Sequence, residues 1–231
     1  MPLFDMNLHK YCRKVYSQND EDGIIEYIFT ELPPLNRFFV EFGVGPATGC
    51  TYEQSGLECN ARLLIENGWH GLLMDGNSYP PEAGVKREMI TALNINRLLH
   101  KYRVPHEIDL MSIDIDGQDF WIWSNLTYNP RVIIVEYNPH LWPNESKVVP
   151  FDIEYQWDGT QWYGASLRAL HRLGLSKGYT LVYANGVNAF FIRDDLIGNA
   201  EDFQFESVYG LRGRLSYHRD DPLNRGWVTI D

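Results

Sequence analysis

Cysteine is scarce in this chain. Only Cys12, Cys50 and Cys59 occur among 231 residues, an odd count without C-x-x-C spacing. That pattern points away from a disulfide framework and toward structural thiols in a reducing compartment. Long apolar runs are missing as well. No 18-residue apolar stretch occurs, and "MPLFDMNLHKYCRK" at the start has no continuous apolar segment of the signal-peptide kind. The expectation is a soluble, cytoplasmic protein without a membrane span. Basic charge is in deficit: 20 Lys and Arg stand against 31 Asp and Glu, for a net charge of −11 and a pI of about 5.0. Such a surface is a poor partner for nucleic acid. A small neutral substrate, or one held through a metal ion, suits it better. Repeats, low-complexity blocks and Gly/Ser linkers are also absent, so residues 1–231 read as one domain. Homo-oligomerisation is left open.

What the chain does have is apolar and aromatic material. Hydrophobic residues make up 44% and aromatics 14%, with 7 Trp and 14 Tyr, which is enough for a packed core. Helical and extended patterns alternate along it. "SQNDEDGIIEYIFTELPP" starts with cap-type residues (Ser17 to Asp22), places Ile24, Ile25, Ile28 and Phe29 at helical spacing, and stops at Pro33-Pro34. "RFFVEFGVG" is a strand ending in glycines, "LECNARLLIENG" a helix stopped by Gly68, and "HGLLMDG" a second strand. A weak strand "VKREMITA", a helix "NINRLLHKY" capped by Asn94, a strand "DLMSIDID", a short helix "QDFWIWSNL" and a strand "RVIIVEYN" follow. After a long loop come a helix, "ASLRALHRLGLSKG", and two segments, "YTLVYA" and "NAFFIRDDL", able to pair as a hairpin. The predicted fold class is α/β: a mostly parallel sheet with helices on both faces and a C-terminal antiparallel hairpin.

In such sheets ligands bind at the carboxyl ends of the strands. Four predicted ends carry acids: Glu41, Asp75, Asp114 with Asp116, and Glu136. Glu41, Gly43 and Gly45 form an E-x-G-x-G turn after the first strand, where glycine lets a ligand approach the backbone. Asp75, about 30 residues later, is placed to accept hydrogen bonds from ribose hydroxyls. A nicotinamide dinucleotide would fit that geometry, but the full G-x-G-x-x-G is missing: Pro46-Ala47-Thr48-Gly49 follows Gly45. S-adenosylmethionine has no pyrophosphate and fits the departure better.

"SQNDEDGIIEYIF", "FVEFGVG", "ECNARLLIENGWHGLLMDG" and "IDLMSIDIDGQDFWIW" resemble class I S-adenosylmethionine-dependent methyltransferases, most of all the FkbM-like branch, which includes enzymes acting on sugar and polyketide hydroxyls. "RVIIVEYNP", "WDGTQWYGASLRAL" and "GVNAFFIRDDL" look like segments of bacterial relatives, so the resemblance covers roughly residues 16–196; the tail (residues 197–231) matches nothing recognised. The resemblance implies a Rossmann-like methyltransferase fold with Gly43 and Gly45 under the cofactor, Asp75 at its ribose, Thr91 to Asn94 near its adenine, and Gln18 closing over it.

Transfer of a methyl group to an alcohol requires a general base or a metal ion that stabilises the alkoxide. Period-two alternation would put Asp114 and Asp116 on one face of their strand, and likewise Glu136 and Asn138. These four residues suit an octahedral magnesium or manganese ion. The metal-free competitor uses Asp116 or His140 as base. Asp119 reads as a helix-start cap. Trp162 and Tyr163, between Gly159 and Gly164, suggest a movable aromatic wall that stacks on a sugar, with Asp158 as a further polar contact. The acceptor is then a small molecule or glycan. An oxidoreductase and a non-catalytic cofactor-binding module are the alternatives.

Overall fold

The computed structural model describes residues 1–47, 49–209 and 219–231, so residues 210–218 of the unmatched tail lie outside the described residues. The helices are α1 (Glu21–Glu31), α2 (Tyr52–Ser55), α3 (Arg62–Glu66), α4 (Ile95–Lys101), α5 (Asp119–Asn125), α6 (Leu167–Lys177) and α7 (Phe205–Tyr209). The strands are β1 (Phe38–Phe42), β2 (His70–Asp75), β3 (Val85–Arg87), β4 (Leu110–Ile113), β5 (Val132–Glu136), β6 (Lys147–Val148), β7 (Tyr179–Ala184), β8 (Asn188–Arg193) and β9 (Val228–Thr229).

Seven strands form one sheet in the order β3-β2-β1-β4-β5-β8-β7. The first five are parallel to their neighbours, while β8 runs antiparallel to both β5 and β7. The fold is thus α/β with a mostly parallel sheet, and β6 and β9 make a separate antiparallel pair. Every residue of β4 and the first four of β5 are buried. Since alternate side chains point to opposite faces, both faces of the sheet centre are covered. The hairpin expected from the sequence is present, but its second strand is the one inserted against β5.

Local chemistry explains several boundaries. Ser166 Oγ accepts the Ala169 N–H at the start of α6, and Gly178, with φ +77°, ends it in the left-handed conformation that glycine tolerates. At α1 the capping expected within Ser17 to Asp22 takes a particular form. Asp22 Oδ2 accepts the N–H groups of Val15, Tyr16 and Ser17 and the Ser17 hydroxyl, while Ser17 Oγ accepts the Asp22 N–H. A buried carboxylate inside the first turn therefore holds the preceding segment in place.

At the amino ends of the strands, Asp109 accepts the N–H groups of Leu35, Asn36 and Arg37 at 2.7–2.8 Å and pairs with Arg131 at 2.7 Å. Burial opposes the charge on Asp109, but these hydrogen bonds hold its carboxyl below the usual range. This buried ion pair staples the entries of β1, β4 and β5. Among the described residues no helix is long and apolar enough to cross a membrane, and all three cysteines are free.

Candidate functional site

From β1 the chain steps outward to β2 and β3, then crosses back to lay β4 on the other side of β1. Connections leave in opposite directions there, which opens a crevice beyond the carboxyl ends of β1 and β4. The Gly43 N–H reaches the Met74 carbonyl (3.1 Å) and the Asp114 N–H reaches Phe42 (3.3 Å), so the strands stay zipped up to the crevice floor. A cavity of about 410 Å³ lies in that crevice, between the ends of β1, β2 and β4 and the segment 151–155. Gly43, Gly45, Asp75, Thr91, Asp114 and Asp116, all singled out from the sequence, line it. A second cavity of about 250 Å³ adjoins it and shares Gly43, Gly45, Asp114 and Asp116; Gln18, Glu41, Asn60 and Asn188 also line it.

Each side chain has a definable duty. Asp75 ends β2, buried, with Oδ1 accepting the Asn77 N–H at 2.6 Å; burial raises its pKa. Tyr79 donates its hydroxyl hydrogen to the Val44 carbonyl at 2.6 Å, which holds the β1 loop against the far wall. Gln118 bonds the Pro150 carbonyl through its amide nitrogen and the Asp152 N–H through its oxygen, which fixes the 150–152 segment over the cavity. Tyr155 packs over Gly117, where any Cβ would lie 2.2 Å from its ring. Neither Gln118 nor Tyr155 carries a motif, and sequence reading passed over both.

Glu41 lines the second cavity and also supports the backbone beneath it. Its two oxygens accept the Asn60 N–H (2.8 Å) and the Ala61 N–H (2.7 Å), so it caps the start of α3 from beneath the second cavity. Burial pushes its pKa up to about 7, against the pull of those hydrogen bonds. Asn94 is likewise a support: its oxygen accepts the Thr91 N–H and its amide donates to the Met89 carbonyl, both at 2.8 Å, shaping the turn that walls the cavity. It makes no side-chain cap to α4.

The acidic group differs from the predicted one. β4 ends at Ile113, and the chain then enters a tight turn in which Asp116 has φ +57° and Gly117 +151°. Strict alternation stops there, so Asp116 swings out to an exposed position instead of sharing the half-buried side of Asp114. Asp119, at the start of α5, folds back to accept the Ile115 N–H at 2.8 Å and the Gly117 N–H at 3.0 Å. Oxygens of Asp114, Asp119 and Glu136 thereby come within 4.8 Å of one another.

Burial raises the pKa of all three, Asp119 to about 7, and neighbouring carboxylates push Asp114 and Glu136 further. Glu136 Oε2 is buried without a hydrogen-bond partner, and so is Asn188 Oδ1 on the paired position of β8. Three oxygen donors with one unpartnered oxygen form a set that a hard divalent cation fits.

Two predicted site residues fall outside this set. The Asn138 amide donates to the Gln161 and Tyr163 carbonyls (2.8 and 2.9 Å) and its oxygen accepts the His140 N–H at 2.9 Å. That side chain ties the loop after β5 to residues 161–163. His140 lines neither of the two cavities.

The predicted aromatic wall is also elsewhere. Arg225 stacks on Trp162 at 4.1 Å and pairs with Asp158 at 2.8 Å, so the tail clamps that loop. The aromatic residues facing the cavity are Tyr79, Phe151 and Tyr155. No protein-family model matches the chain, no curated protein matches it, and no solved structure matches it.

Proposed function

We propose that this chain is an S-adenosylmethionine-dependent O-methyltransferase acting on a hydroxyl of a sugar or another small polar metabolite, built on a Rossmann-like framework. The observation that carries the reading is one crevice with two chemically different ends. Asp75 ends β2 on one side, and Asp114 lies beside Asp119 and Glu136 on the other, with a cavity of about 410 Å³ between. That size is within the usual range for small-molecule sites.

In this reading Asp75 accepts hydrogen bonds from the ribose hydroxyls, and Met89 and Ile90 offer apolar surface to the adenine. The amino-acid portion of the cofactor extends into the second cavity, where Gln18 and the unpartnered oxygen of Asn188 take its ammonium hydrogens. The charge of the site favours this ligand. Asp116 and Glu58 line the two cavities beside Asp114 and Glu41, whose burial favours the protonated form, a setting that suits a sulfonium cation better than a dinucleotide pyrophosphate.

Asp116, exposed at the junction of both cavities, takes the proton from the acceptor hydroxyl. Asp114, Asp119 and Glu136 would hold a magnesium or manganese ion, with Asp119 in the place that the sequence assigned to Asp116. When bound, such an ion supplies Lewis-acid polarisation of the acceptor oxygen. The remaining carboxylate oxygens orient neighbouring acceptor hydroxyls.

Titration calorimetry with S-adenosylmethionine, S-adenosylhomocysteine and NAD, followed by a methyl-transfer screen of glycans and nucleotide sugars, tests the proposal. Binding of NAD alone would point to an oxidoreductase. Cofactor binding without transfer to any acceptor would point to a non-catalytic module.

A further inference from the structure

A second group of metal-type donors lies in the N-terminal segment and lines neither cavity. His9, Cys12 and Asp20 each present one ligand atom, and these atoms lie within 4.8 Å of one another. Residues Leu8–Tyr11 form a 3-10 helix that continues into Cys12, whose N–H bonds the His9 carbonyl. Side chains three apart eclipse on such a helix, which sets imidazole and thiol side by side. Leu8, fully buried, and Tyr11, stacked on Tyr27 with ring centres 3.7 Å apart, anchor that helix. Asp20 arrives from the start of α1, held because the Arg13 N–H donates to the Asp20 carbonyl and the Gly23 N–H to the Arg13 carbonyl.

The spacing fits one kind of ion. Cys12 Sγ and His9 Nδ1 are 3.4 Å apart. A tetrahedral angle between a Zn–S bond of about 2.3 Å and a Zn–N bond of about 2.0 Å places those two atoms about 3.5 Å apart. One thiolate, one imidazole and one carboxylate form a donor set of the soft-to-borderline type, unsuited to magnesium or calcium.

An outer layer is present too. The Tyr183 hydroxyl lies 2.9 Å from Cys12 Sγ and 3.1 Å from Asp20 Oδ2, and Asn185 donates to Asp20 Oδ1 at 2.8 Å. Partners of this kind orient ligands in protein zinc sites. His9 is exposed, which leaves the fourth position of the tetrahedron to water.

We propose that His9, Cys12 and Asp20 bind a zinc ion that ties the 3-10 helix to the start of α1, with Tyr183 of β7 in its outer layer, and so fixes the turn that carries Gln18 over the second cavity. Binding displaces the thiol proton to solvent, leaving a thiolate on the metal.

Cobalt(II) is the probe, because a thiolate bound to it gives a near-ultraviolet charge-transfer band that carboxylate ligands do not. The full chain is stripped with EDTA, desalted and titrated with cobalt, and zinc is then added. The expected result is a band that saturates at one equivalent and is bleached by zinc. It should be lost in Cys12→Ser and kept in Cys50→Ser and in Glu136→Gln. His9→Gln, a change at an exposed position, is expected to weaken zinc binding by at least about tenfold while leaving the metal-free melting temperature unchanged. Absence of the band in the wild-type chain, or an undiminished band in Cys12→Ser, would overturn the proposal.

Discussion

A Cβ atom on Gly43 would lie 1.2 Å from the carbonyl oxygen of Asp114. The residue that closes β1 and the residue that leaves β4 are thus in backbone contact at the floor of the crevice. Gly43 also has φ +80°, a conformation that side chains resist. Gly43→Ala is therefore expected to lower stability by at least about 3 kcal/mol or to prevent folding. Gly45 is different: its nearest neighbour to an added Cβ is the Tyr79 hydroxyl at 3.8 Å. Gly45→Ala should fold normally and lose only ligand affinity. Thermal melts followed by circular dichroism, with calorimetry on the folded variant, separate the two. Equal stability in both variants would refute the argument.

Asp75→Ala should weaken S-adenosylmethionine binding by about 1–3 kcal/mol, the cost of removing a hydrogen-bonding partner from buried hydroxyls. The Asn77 N–H loses its acceptor as well, so a melting curve must accompany the calorimetry. Unchanged affinity in a folded variant would remove Asp75 from the cofactor site.

The crowded carboxylates Asp114, Asp119 and Glu136 are expected to make the metal-free protein less stable than the magnesium-loaded one, because an ion that binds only the folded state stabilises it by mass action. Glu136→Gln relieves the repulsion, so it should raise the melting temperature in EDTA and abolish the response to magnesium. A melting temperature indifferent to magnesium in the wild type would count against the ion, and full methyl transfer in EDTA would exclude a catalytic need for it.

Glu41 gives a pH signature. Burial raises its pKa from 4.5 to about 7, so the folded chain keeps a proton that the unfolded chain has released in that interval. Stability therefore falls as pH rises through this window, by on the order of 3 kcal/mol from this group alone. Glu41→Gln cannot titrate. Its deficit relative to wild type should be largest near pH 4.5 and shrink toward pH 8, as read from denaturant melts across that range. A deficit independent of pH would show that Glu41 does not titrate as described.

Removing Asp109 leaves Arg131 buried without its counter-charge and three N–H groups without an acceptor. Asp109→Ala should cost about 3–5 kcal/mol. Its distance from the crevice predicts no change in ligand affinity once the variant is folded, and an affinity loss as large as the stability loss would contradict that separation.

Much of the site was legible before any coordinates. Gly43, Gly45, Asp75, Thr91, Asp114 and Asp116 line one cavity because each follows a strand, and parallel strands bring their carboxyl ends together. Asp119, read as a helix-start residue, does sit in the first turn of α5, and it has a second position the sequence did not show. It bonds the Ile115 and Gly117 N–H groups as a turn former, and its position beside Asp114 and Glu136 depends on how that turn folds back. What the sequence did not show for Asn138 is its long-range bonding: its amide donates to the carbonyls of residues 161 and 163.

The sequence by itself determined the alternation of strands and helices, the parallel character of the first five strands and the placing of acids at their ends. Apolar periodicity and glycine or proline stops are local properties, readable without tertiary contacts. Only the tertiary structure decided which acids meet. The left-handed turn at Asp116 sends one carboxylate outward while Asp119 replaces it, because alternation holds only while the chain remains extended. It also decided that β8 inserts between β5 and β7, setting Asn188 opposite Glu136. Strand order across a sheet follows from which buried surfaces fit together, and that information is spread over residues far apart in the chain.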